Sequence, residues 1–145
     1  MDKKKFKSEP NKQDVFEIIN LIKSKKFILA ENKSKKLLKK YSNSPSLINL
    51  LGVCLINQNR IIEGIKCYKS AILIKPNFAE AYNNLGIAYK NLSMTEDAIK
   101  AYNNSIKFKS NFAEPYNNLG LILMDQNKIE EAKNNFRLAL KYKPN

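Results

Sequence analysis

Cys54 and Cys67 are the only two thiols in the chain, and no histidine accompanies them. A structural zinc site draws four ligands from Cys and His, so this set falls short of one. The carboxylates offer little more. Glu96–Asp97 and Glu130–Glu131 stand as neighbours where helices are expected to begin, a placement that suits the helix dipole rather than proton transfer. Without a histidine base, nothing supplies nucleophile, base and orienter together. Gly52, Gly64, Gly86 and Gly120 are scattered singly, so no glycine-rich phosphate loop exists. The expectation is a chain that is not an enzyme and holds no metal and no cofactor. Both cysteines read as small helix residues in a reducing, cytoplasmic setting.

Amides and cations remain. Lys and Arg total 26 against 13 Asp and Glu, a net charge of +13. Only Arg60 and Arg137 are arginines, whereas asparagine and isoleucine are abundant. Lys, Asn and Ile are what A/T-rich codons encode, so genomic bias accounts for much of the charge. Readers of base edges and clamps on phosphate favour Arg, and its scarcity argues against a nucleic-acid partner. No apolar run approaches the ~20 residues of a membrane span, so no membrane partner is expected. The basic N-terminus is not followed by an apolar segment, as a secretory signal would be.

The elements that must carry these side chains show in a repeat. Asn77 to Gly86 reads Asn-Phe-Ala-Glu-Ala-Tyr-Asn-Asn-Leu-Gly, and it returns 34 residues later as Asn111 to Gly120, with Pro115 replacing Ala81. A weaker copy lies 34 residues earlier, with Ile48, Leu51 and Gly52 for Tyr82, Leu85 and Gly86. Further columns agree: Gly64, Ala98 and Ala132; Tyr68, Tyr102 and Phe136; Ala71, Ser105 and Ala139; Pro76, Ser110 and Pro144. Tyr82, Leu85 and Tyr89 share one helix face, and Ala98, Ile99, Tyr102 and Ile106 share another. Gly86 lets the second helix approach, Ala98 answers it, and Tyr102 fills the space beside them. A fixed period of this length means one supersecondary unit stacked on itself.

These columns resemble the tetratricopeptide repeat family. The resemblance covers residues 45–145 and departs at Gly64, Ser105 and Ser110. It implies an all-α fold, a right-handed superhelical stack of antiparallel helix pairs, with units at 45–78, 79–112 and 113–145. Residues 13–44 then form a degenerate helix pair that caps the stack. Its first helix is capped by Asp14, and Glu17-Ile18 replaces the Leu-Gly pair, so packing there is looser or shifted. Residues 1–12 form a disordered basic tail. The chain is expected as one domain. The last unit ends without a further solvating helix, leaving Leu140 and Tyr142 to favour self-association through the C-terminal end or continuation into a longer protein.

A stack of this kind offers a concave groove lined by the first helix of each unit. The residues facing it are Asn49, then Asn83, Asn84, Ile87, Lys90 and Asn91, then Asn117, Asn118, Leu121 and Met124. An asparagine amide both donates and accepts, so it can hold the backbone of an extended polypeptide, while the aliphatics meet apolar side chains. The Asn84 and Asn118 columns are similar to the asparagine ladder of the O-linked N-acetylglucosamine transferase family, broken here at Leu50. The basic clamp for a C-terminal carboxylate found elsewhere in the repeat family is not matched. The leading expectation is a non-catalytic interaction module with a protein or peptide ligand. The alternatives are the substrate-recognition region of a sulfotransferase or glycosyltransferase, and a basic surface, within residues 3–40, for nucleic acid or anionic lipid.

Overall fold

The computed structural model describes residues 9–143, and among them all regular secondary structure is helical. The helices fall into two compact units, one ending at Pro76 and the other beginning at Asn77, where the sequence led us to expect one domain. The first unit holds α1 (Lys12–Lys23), α2 (Phe27–Leu38), α3 (Pro45–Asn57) and α4 (Ile61–Ile74). The second holds α5 (Ala79–Asn91), α6 (Thr95–Phe108), α7 (Ala113–Asp125) and α8 (Ile129–Tyr142). Each successive pair is a helical hairpin.

The hairpins are set by their glycine columns. A Cβ added to Gly86 would lie 2.5 Å from the ring of Tyr102, one on Gly52 would lie 2.6 Å from Tyr68, and one on Gly120 would lie 2.5 Å from Phe136. In each case the aromatic ring of the second helix occupies the space a side chain on the first would need. Paired rings, one pair stacked and one tilted, close the hairpins of the second unit at their other end. Tyr82 and Phe108 have centroids 5.6 Å apart, and Tyr116 and Tyr142, one period later, are also at 5.6 Å.

The first hairpin solves the same packing differently. Its residues in the glycine and tyrosine columns are Ile18 and Ser34, and both are fully buried. The bulk sits on α1 and the small residue on α2, the reverse of the other pairs. Ser34 Oγ donates to the Ala30 carbonyl at 2.8 Å, which satisfies the hydroxyl within its own helix. Ile18 joins Ala30, Tyr41, Leu47 and Cys54 in the core of that unit.

The hairpin turns also recur at the period. Lys25, Asn59, Ser93 and Asn127, each 34 residues from the next, have φ of 57°, 62°, 58° and 59°. The residue after each donates its N–H back into the first helix: Lys26 to Leu21, Arg60 to Leu55, Met94 to Tyr89 and Lys128 to Leu123, at 2.8–2.9 Å. This is the left-handed helix stop, in which the carbonyls left over at the helix end find donors.

Asn11, rather than Asp14, caps α1: its side chain accepts from the Asp14 N–H at 2.8 Å, and its extended backbone (φ −68°, ψ 159°) suits the cap position. Asp14 lies inside the first turn. Of the expected tail, residues 1–8 lie outside the described residues, as does Pro144. Glu9 bonds the side chains of Ser44 and Ser46. Ser44 caps α3, accepting from the Leu47 N–H at 3.2 Å, with Pro45 behind it in the first turn. Among the described residues, no helix is long and apolar enough to cross a membrane.

Candidate functional site

Asparagines of α5 and α7 meet in the second unit because both helices carry them one period apart. Asn118 Nδ2 donates to Asn83 Oδ1 at 3.2 Å. Asn83 is only 5% exposed, so its carbonyl is spent joining two helices. Asn117, its column mate, is exposed.

Beside this bond lies a depression of about 520 Å³, lined by Asn83, Ile87, Ala113, Glu114, Asn117, Asn118, Phe136, Ala139, Leu140 and Lys143. Four of the residues expected from the sequence, Asn83, Ile87, Asn117 and Asn118, therefore share one cavity. Its opposite wall comes from α8, which the sequence reading did not include. Leu140, 57% exposed, belongs to that wall. Lys143 Nζ and Glu114 Oε1, 3.4 Å apart, close one end. Their column mates Lys109 and Glu80 pair at 2.8 Å, so the period itself could have revealed this contact between the end of one helix and the start of the other.

The other expected residues are placed differently. Asn84 is half-buried, Lys90 and Asn91 are exposed, and Leu121 and Met124 are 41% and 46% exposed; none of them lines this depression. Asn49 belongs to the first unit, where it is buried.

The lining combines amide groups, aliphatic and aromatic surface, and one exposed ion pair. It can hydrogen-bond a polypeptide backbone and shelter an apolar side chain. The thiols lie elsewhere, and burial pushes both upward, Cys54 to about 11. Neither is a thiolate near neutral pH, so neither is an activated nucleophile.

Comparison with protein-family models finds a TPR repeat over residues 55–93 and a tetratricopeptide repeat over both 79–112 and 113–145. Comparison with curated proteins finds no match. Among solved structures, the chain is similar to MamA, with 25% identity, a TM-score of 0.76, and coverage of 97% of this chain and 83% of that one. It is also similar to a chain of the APC/C hetero-tetramer Cut9–Hcn1, with 24% identity and a TM-score of 0.78 over 91% of this chain and 27% of that one.

Proposed function

Because the chain belongs to the tetratricopeptide repeat family, whose repeats are protein-interaction scaffolds, we propose that it is a non-catalytic module that holds an extended polypeptide segment against α5, α7 and α8. The observation that carries this reading is the depression shared by Ile87, Asn117, Asn118 and Leu140. Asn117 supplies an amide that can donate to one backbone carbonyl and accept from one N–H. Ile87, Phe136 and Leu140 form the apolar wall against which a ligand side chain leaves water. At about 25 cal/mol per Å² of apolar surface, covering one aliphatic side chain contributes about 1.5–3 kcal/mol. The ligand is thus chosen weakly by side chain and mainly by being extended. The Cut9–Hcn1 hetero-tetramer is a case in which a similar repeat chain assembles with a second polypeptide.

A pull-down from lysate with the wild-type chain, Asn117→Ala and Leu140→Asp tests this. The wild type should retain partners that both variants release about tenfold more readily, the cost of about 1.4 kcal/mol of lost contact. Equal recovery of every partner by all three would contradict the reading.

A further inference from the structure

The first turns of α2 and α4 break the pattern set by their column mates. At the period of 34, Ile28 and Ile62 align with Glu96 and Glu130, and Leu29 aligns with Glu63, Asp97 and Glu131. Acidic residues there stabilise a helix through its dipole. Unit 1 gives up that gain at three positions and exposes aliphatic side chains instead: Ile28 at 65%, Leu29 at 55% and Ile62 at 58%.

The three lie at one end of the first unit, where its hairpins turn. Arg60, the residue before α4, reaches Glu31 of α2 at 2.9 Å, so the start of α4 stands against the helix that Ile28 and Leu29 begin. The α1–α2 turn adds Lys23, Lys25 and Lys26, all exposed. Among the described residues no carboxylate pairs with these three lysines. The nearby carboxylates are committed: Glu17 to Lys33, Glu31 to Lys35 and Arg60, and Glu63 to Arg60. The result is an aliphatic tip rimmed by unneutralised positive charge.

The geometry points to a docking surface for an anionic lipid bilayer, touched by this end of the first unit and not crossed. Protein interfaces are enriched in aromatic residues and Arg and depleted in Lys, and single-stranded nucleic acid is gripped by aromatic stacking. At this tip the arginine, Arg60, is already held by Glu31 and Glu63, the aromatic Phe27 is half-buried, and the exposed apolar side chains are aliphatic. Ile and Leu can enter the acyl boundary, while long lysine stems keep their ammonium groups among lipid phosphates. Each lysine near an anionic leaflet adds attraction that fades within a Debye length, and the chain's net charge of +13 brings it there. This surface and the depression on the second unit share no residue.

Co-sedimentation of the 145-residue chain with phosphatidylcholine vesicles, with and without phosphatidylserine, tests the proposal. Binding should require phosphatidylserine and weaken as salt is raised. The triple variant Ile28→Ser, Leu29→Ser, Ile62→Ser should lose about tenfold in partition with an unchanged circular dichroism spectrum, since all three side chains are exposed. Lys25→Glu with Lys26→Glu should lose at least as much. The chain has no tryptophan, so Ile28→Trp reports insertion by a blue shift in emission on anionic vesicles. Equal binding to both vesicle types, full binding by the triple variant, or no blue shift would overturn it. So would capture of an acidic protein through these residues by a chain that ignores vesicles.

Discussion

A methyl group added at Gly86 would collide with Tyr102, a ring that is fully buried and has no room to turn away. Replacing helical glycine by alanine ordinarily gains about 1 kcal/mol. Here overpacking costs about 1–3 kcal/mol, so Gly86→Ala should lower the urea midpoint. Gly120→Ala meets Phe136 at the same 2.5 Å, but Phe136 is only half-buried and can swing outward. That variant should stay within about 1 kcal/mol of wild type. Equal losses in the two variants would contradict the packing described. The glycine columns were legible in the sequence because an exact spacing joins chemically matched residues. The exchange of Ile18 and Ser34 was not. Ile18 was visible as a missing glycine, but its counterpart Ser34 falls on the second helix, and only pairing the two columns shows that bulk has moved from one to the other.

At the scale of helices and turns, the sequence placed the hairpins but not what holds them. Only Asn59 and Asn127 among Lys25, Asn59, Ser93 and Asn127 share a residue type, and no glycine marks the column, so the left-handed turn at the period was not read before φ was known. The helix wheel likewise set Asn83 facing a groove. It could not show that Asn118, 35 residues on, would consume its carbonyl. Charge ties α2 to the α3–α4 turn. Glu31, 6% exposed, accepts from Lys35, Gln58 and Arg60 at 2.6, 2.7 and 2.9 Å. These donors, Lys35 foremost, hold its carboxyl down from 4.5 to about 2 against the opposing cost of burial. A folded-state value below the unfolded one makes stability present above about pH 4.5 and lost as pH falls toward 2. Wild type should therefore lose on the order of 2 kcal/mol across that window relative to Glu31→Gln, read as the change in urea midpoint with pH. Parallel acid dependence in both proteins would show that Glu31 does not carry it.

At the scale of the whole molecule, the two proposed surfaces fall on different units: a depression on the second and a basic, aliphatic end of the first. Four of the ten residues lining the depression were legible: Asn83, Ile87, Asn117 and Asn118 follow from the periodicity of a single helix. Its α8 wall was not, because Phe136 and Ala139 read as packing columns, and Leu140 as a flank for self-association, until the two helices are set side by side. The charge was visible as a total, but its arrangement around Ile28, Leu29 and Ile62 depends on which lysines lack partners. The central claim is that a polypeptide lies between α5, α7 and α8. Site-specific photo-crosslinking tests it most directly, with benzoylphenylalanine placed at Ile87 and, as a control, at the exposed Glu131 outside the depression. Irradiation in lysate should yield a covalent partner polypeptide from position 87 and none from position 131. Equal labelling from both positions, or no adduct from position 87, would contradict the account.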